Sequence, residues 1–317
     1  MKSVFAPYCF ICFLFCCGTI TGKAGIVNSD SAVSITGRWD ITIYDDGKEY
    51  PSWLEVQHSG FNTLVGEFVG IAGSARPVSE IDFSHNILTF SIPPQWESGA
   101  GNLSVKAELQ ADTLAGKITM PDGKVMNFSA AHAPDMRVTA KPAWQKPVTL
   151  FNGKDLTGWH AAGKVNQWIA GNGILQSPHS GSNLITDQAF KDFKLHIEFR
   201  YPEGSNSGVY LRGRYEVQIE ASHGGEPYKG VFSAVYGFIA PGEIAAKKPG
   251  EWQSYDITLV GRMVTVVANG RTVICNREIP GITGGAINSK EGEPGPLLLQ
   301  GDHGAIEYRN IVITPAK

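Results

Sequence analysis

Hydrophobic and polar positions alternate with a period of two along most of this 317-residue chain, in short runs broken by turn residues. Between residues 33 and 132 the runs are RWDITIY, SWLEVQH, TLVGEFVG, ILTFSI, LSVKAEL, TLAGKITM and VMNFSAA. Asp-Asp-Gly, His-Ser-Gly, Ser-His-Asn and Pro-Asp-Gly separate them. Roughly seven or eight strands at hairpin spacing predict a small antiparallel β domain, a barrel or a meander. Residues 133–147, APDMRVTAKPAWQKP, hold three prolines and no sustained period, and read as a linker. From 148 to 317 strands return, among them FKLHIEFRY, SGVYLRG, YEVQIEA, SYDITLVG, MVTVVANG and IEYRNIVIT. Asn269-Gly270 marks a type I′ hairpin. Many strands and few helical patterns predict an all-β protein whose second domain is a two-sheet sandwich.

Alternation also sorts side chains onto faces. Phe193, Leu195, Ile197 and Phe199 form a core set, with Lys194, His196, Glu198 and Arg200 opposite. Val209 and Leu211 face the core, which puts Tyr210 and Arg212 on the polar side. Glu216, Gln218 and Glu220 form the polar set of the next strand, and Glu307 and Arg309 that of the last. One polar strand face is ordinary for a half-exposed sheet. Several converging faces of carboxylates, amides, guanidinium groups and a phenol offer many hydrogen bonds on one side, so a ligand site is expected there. Asn206 both donates and accepts. His303, between Gly301 and Gly304 at a strand end, reads from its residues alone as a turn histidine bonded to backbone, with proton transfer near neutral pH as the alternative, and His223 beside Gly224-Gly225 is the next such candidate. Trp39, Trp53 and Trp96 read as core residues, with a sugar-stacking surface as the alternative.

Composition narrows the function classes. A net charge of −3 offers no basic stripe for nucleic acid. GxSxG, HExxH, Walker and GxGxxG motifs are missing. Residues 1–24 read as an export signal, a charged start followed by a short apolar run. Leu14 to Gly18 resembles a bacterial lipobox, so export leaves either a periplasmic protein or a lipoprotein of the outer membrane or cell surface. Membrane attachment is expected through that lipid only. Four of the five cysteines fall in the leader, which leaves Cys275 without a disulfide partner and reading as a buried apolar side chain. No cofactor is evident; a divalent metal near Asp302 or Glu203 stays open, with no clustered ligands demanding it.

Five blocks carry a family resemblance: LFNGKDLTGWH, EFRYPEGSNSGVYLRG, YEVQIE, GEWQSYDIT and GPLLLQGDHGAIEYRNI. In their order they resemble the 3-keto-disaccharide hydrolase family, over about residues 148–315. The resemblance implies a concanavalin A-like jelly roll holding a sugar, a 3-keto-glycoside substrate, and a sugar 3-dehydrogenase acting upstream. The first domain is outside it; TGRWDI there resembles the opening of lipocalin-like barrels. A C3 ketone acidifies the C2 hydrogen, so removing that proton lets the C1 oxygen leave by β-elimination, and water addition completes a net hydrolysis. His303, Glu216 and Glu220 are the expected proton carriers, with Arg212 or Arg309 at the enolate oxygen. Glu198, Arg200, Asn206, Tyr210, Gln218, His223 and Arg309 are the expected substrate contacts. Two alternatives stand beside this: a non-catalytic lectin-like module, and a direct retaining glucanase. Gln218 breaks the carboxylate pattern of the latter, and Glu216 and Glu220 have Cα atoms roughly 13 Å apart. Aglycone, linkage and the choice of hydrolase or lyase are open.

Overall fold

The computed structural model of the protein describes residues 34–317; the expected export leader at 1–24 lies outside them. Those residues form one compact unit. Its first part is an up-and-down barrel of eight strands: β1 (Gly37–Asp45), β2 (Lys48–Ser59), β3 (Thr63–Val69), β4 (Arg76–Ser84), β5 (Ile87–Ile92), β6 (Leu103–Gln110), β7 (Thr113–Thr119) and β8 (Val125–His132). Each strand pairs with the next, and β1 also pairs with β8, so the meander closes and no edge is left unpaired. Inward positions are apolar, as in Leu103, Val105, Ala107 and Leu109 of β6, while Lys106, Glu108 and Gln110 face water.

The second part is a two-sheet sandwich. One sheet has the order β10 (Trp159–Ala161), β13 (Leu184–Phe190), β20 (Gly295–Leu299), β15 (Asn206–Leu211) and β16 (Tyr215–Glu220). The other runs β11 (Ile169–Gly171), β12 (Ile174–Ser177), β21 (Ile306–Pro315), β14 (Phe193–Arg200), β17 (Gln253–Val260), β18 (Met263–Ala268) and β19 (Arg271–Glu278), with β9 (Val148–Thr149) paired to β21. Facing side chains of the two sheets make the core: Phe193, Leu195, Ile197 and Phe199 from β14 against Val209, Leu211, Val217 and Ile219. The β18–β19 hairpin turns through Asn269 and Gly270, both left-handed at φ 50° and 79°, as a type I′ turn requires.

Trp53 of the barrel is wholly buried and meets Phe238 edge-on at 5.2 Å, inside the sandwich's own core cluster. A charged knot lies beside it. Glu291, 0 % exposed, accepts from Arg262 Nε at 2.9 Å and from Tyr215 Oη at 2.7 Å, and Arg262 also donates to the Pro134 carbonyl at 3.0 Å. Asp40 of β1 lies close by, and burial followed by repulsion from Glu291 pushes its carboxyl up to about 8.

Two expectations change here. Trp39 and Trp53 are core residues, but Trp96 is 71 % exposed. Cys275 is exposed as well, because a bulge in the β18–β19 pairing puts Val273 and Ile274 inward in succession and turns the cysteine out.

Candidate active site

The outward face of the five-stranded sheet carries the site. In the β15–β16 hairpin Tyr210 pairs with Glu216, Gly208 with Gln218 and Asn206 with Glu220, so these six share one face while Val209, Val217 and Ile219 point into the core. A face turned away from the core is normally wet, yet every residue of β16 up to Ile219 is buried. Two covers explain this. Residues 231–239 fold against the strand's free edge, with Gln218 N donating to Ala234 O and Tyr236 N to Glu216 O, both at 3.0 Å. Barrel residues Ala72, Gly73 and Trp96 stand over the face itself and close a cleft of about 450 Å³.

Glu216 lies at the bottom of that cleft, 4 % exposed. Its side chain lies over the neighbouring strand at Gly208, where a Cβ would come within 2.4 Å of Oε1. Glycine is therefore needed there for close approach rather than for backbone freedom. Glu216 Oε2 accepts from Tyr210 Oη at 2.9 Å, and the same hydroxyl also reaches Gly284 O at 3.0 Å. Burial pushes the Glu216 carboxyl up to about 8, against the opposing pull of Tyr210 and His303. The result is a carboxylic acid that keeps its proton at neutral pH.

His303 and Asp302 form another wall. Nδ1 of His303 lies 2.6 Å from Asp302 Oδ1, and this bond raises the imidazole above its ordinary value despite partial burial. With Nδ1 engaged, Nε2 is the nitrogen left to exchange protons. Their loop is tied down from below: Ser180 Oγ donates to Asp302 O at 2.6 Å, Ser205 Oγ to Ala305 O at 2.6 Å, and Gly301 N to Asn183 Oδ1 at 2.9 Å. That last bond leaves the Asn183 amide N–H groups as donors at the cleft wall.

Two glutamines complete the lining. Gln218 and Gln300 are 3 % and 7 % exposed, and the Oε1 of each has no hydrogen-bond partner among the described residues. A buried acceptor without a partner costs about 1–3 kcal/mol. Two in one cleft are what a ligand with several hydroxyls would satisfy. Among the described residues no three His, Cys, Asp or Glu side chains are grouped to hold a metal ion.

A profile of the 3-keto-alpha-glucoside-1,2-lyase-like domain matches residues 146–314, more than half of the chain. The chain belongs to this family. A curated relative is the 3-keto-disaccharide hydrolase of Bacteroides thetaiotaomicron, 31 % identical over 75 residues. That match takes in 20 % of this chain, which spans about a quarter of the relative's length, 26 %. Among solved structures, two proteins of Parabacteroides distasonis described as glycosyl hydrolases are similar. One is 28 % identical with a TM-score of 0.47, covering 58 % of this chain and 96 % of that one. The other is 26 % identical with a TM-score of 0.43, covering 53 % and 98 %.

Every cleft residue from Asn183 to His303 lies inside the matched family domain; Ala72, Gly73 and Trp96 lie outside it. Of the residues singled out from sequence, Asn206, Tyr210, Glu216, Gln218 and His303 line the cleft. Glu220 lines an adjoining hollow and accepts from Ser222 Oγ at 2.5 Å. His223 is exposed on the following turn, away from both linings.

Arg212 is not in the cleft. It sits at φ 54° in the hairpin turn, where alternation stops, and is 0 % exposed. Its Nε donates to Lys191 O at 2.6 Å and its Nη2 to Gly261 O and Asp192, which stitches the two sheets together. Glu198, Arg200 and Arg309 belong to the other sheet. Arg309 donates to Glu198 at 2.6 Å and lies 3.9 Å over the Trp252 ring, with Arg200 4.9 Å from the same ring and bonded to Glu307. Their alternation reads correctly, but on a strand of the opposite sheet. Asn183, Tyr236, Gln300 and Trp96 were not assigned to the site from sequence. For Gln300 a signal existed: it continues the parity of Leu298, which pairs with Tyr210.

Proposed function

We propose that the cleft acts on glycosides already oxidised to a ketone at C3 of the sugar. The observation that supports this best is a buried carboxylic acid, Glu216, in one cleft with a histidine–aspartate pair. The chemistry needs one base at C2 and one acid at the glycosidic oxygen on C1. His303 Nε2 takes the proton from C2, and the electron pair passes into the C3 carbonyl as an enolate. Collapse of the enolate forms the C1–C2 double bond and expels the glycosidic oxygen, which takes the proton held by Glu216. Water adding at C1, with a proton returned to C2, gives net hydrolysis. Asn183 and Tyr236 are the neutral donors at hand for the enolate oxygen. Gln218 and Gln300 accept from sugar hydroxyls.

A direct retaining glucanase needs two carboxyl groups about 5–5.5 Å apart across one bond. Glu216 and Glu220 instead fall in separate hollows, which favours the keto-glycoside reading. A dehydrogenase oxidising C3 would supply the substrate, and the leader read at residues 1–24 would place the reaction outside the cytoplasm, on a periplasmic or surface-attached protein.

Incubation with a 3-keto-glucoside, and separately with the parent glucoside, tests the reading. Loss of the keto-glycoside alone is expected, with a glycal-type intermediate or the free keto-sugar appearing. Equal cleavage of the unoxidised glucoside, or binding without turnover of either, would sink it.

A further inference from the structure

A second hollow, of about 360 Å³, adjoins the cleft and shares Trp96, Asn206, Gln218 and Tyr236 with it. Ser74, Ala75 and Gln95 reach it from the barrel, and Glu220, Tyr228 and Lys229 from the sandwich. Trp96 is the barrel residue common to both spaces. Its indole is 71 % exposed, but its loop is firmly built. The backbone N–H groups of Gln95 and Trp96 donate to Glu97 Oε2 at 2.7 and 3.1 Å. Glu97 pairs at 2.9 Å with Arg76, itself 7 % exposed. The Gln95 amide is tied to Ser74 twice, accepting from its N–H at 3.1 Å and donating to its Oγ at 2.6 Å. A partly buried ion pair and four hydrogen bonds thus hold an exposed aromatic plane beside Glu216's cleft.

We propose that this hollow receives the leaving group, a second pyranose ring lying against Trp96, so that the barrel helps to decide which glycosides are cleaved. The inference rests on reading the cleft as a keto-glycoside site. Glu216, Gln218 and Glu220 follow one another along a single face, and their outer pair has Cα atoms roughly 13 Å apart, room for a ring at each end. The glycosidic bond then crosses at Gln218, whose buried Oε1 lacks a partner among the described residues. The hollow's chemistry selects the occupant. A pyranose offers an apolar C–H face to Trp96 and Tyr228, the latter 59 % exposed, and hydroxyls to Glu220, Lys229 and Gln95. An aryl group would cover those same polar groups without replacing their water, at a cost. None of the barrel residues falls within the family match, so this wall comes from outside the matched domain.

The test compares kcat/KM for a 3-keto-gluco-disaccharide and for methyl 3-keto-glucoside in wild type, Trp96→Ala and Trp96→Phe. Trp96 is exposed, so both variants keep the fold. In Trp96→Ala the disaccharide's kcat/KM is expected to fall about 10-fold more than the methyl glycoside's, mainly through KM, with most of the loss recovered in Trp96→Phe. Equal falls for both substrates, or no change in either, would overturn the inference. A wild type inert on both substrates would instead defeat the reading of the cleft. The inference is then decided by binding alone: an unoxidised gluco-disaccharide is expected to change tryptophan emission in wild type and not in Trp96→Phe. Identical titrations would overturn it.

Discussion

The outer face of β14 and the outer face of β16 carry the same kinds of side chain in opposite surroundings. On β14, Glu198 is matched by Arg309 and Asn310, Arg200 by Glu307, His196 by Asp256, and two guanidinium groups flank Trp252 in partial exposure. Those three have counterparts at a partly exposed surface, and Lys194 lies 4.8 Å over the Trp144 ring. On β16, Glu216 and Gln218 are buried and face a cleft in which two glutamine oxygens lack partners among the described residues. Polar composition on a strand face does not separate a solvated surface from a site. Burial with too few partners in the wall of an open cleft does, because that arrangement costs stability that a ligand's hydroxyls can recover.

The comparison can be broken by substitution. Glu216→Gln and His303→Ala are each expected to lower kcat/KM on a 3-keto-glucoside about 10²–10⁴-fold, the usual scale for a positioned acid or base. Steady-state kinetics within a fewfold of wild type for either would remove that residue from the proton transfers. Glu291 supplies the contrasting buried carboxylate, fully paired with Arg262 and Tyr215. Glu291→Ala should destabilise by about 3–5 kcal/mol in chemical denaturation, because it strands a buried guanidinium. Gly208→Ala acts between these two cases: its methyl needs the space that Glu216 fills, so activity should drop at least ~10-fold as the carboxyl is displaced. Unchanged turnover would mean that the placement of Glu216 over Gly208 is dispensable. Arg309→Ala should do least, within about 1 kcal/mol of wild-type stability, since its ion pair is partly exposed. A large loss of activity there would reopen the β14 face as a site.

Much of this was legible in the chain, strand by strand. The period of two placed Tyr210, Glu216, Gln218 and Glu220 together and their backing in the core, and the Asn269-Gly270 turn was readable from its dipeptide. Strand order was not. Nothing local in FKLHIEFR says that its polar face belongs to the far sheet, because two sheets of a sandwich show the same alternation. Arg212 was misplaced for a narrower reason: a left-handed turn residue no longer obeys the parity of the strand it follows. Trp96 and Asn183 lie on loops, where no periodicity reports on what stands opposite. The wall formed by barrel residues at 72, 73 and 96 depends on docking between the two parts of the chain, a contact that no short sequence window contains.

The raised carboxyl also fixes a sign for pH. Between the ordinary carboxylate range and about 8 the folded protein keeps a proton on Glu216 that the unfolded chain has released. The stability this group provides is complete at low pH and is lost as pH rises through about 8. His303, raised by Asp302, contributes in the same direction, being lost as pH rises past its folded value. Glu216→Gln should therefore lose less melting temperature than wild type between pH 5 and 8.5; parallel curves would contradict the burial argument.

The most direct test is the pH dependence of kcat/KM on methyl 3-keto-glucoside. The expected profile is a narrow bell. Its acid limb lies above the ordinary histidine value, as His303 becomes a base, and its alkaline limb near 8, as Glu216 loses its proton. An activity that falls already through the ordinary carboxylate range, or one that stays level well beyond pH 8, would contradict Glu216 as the buried acid.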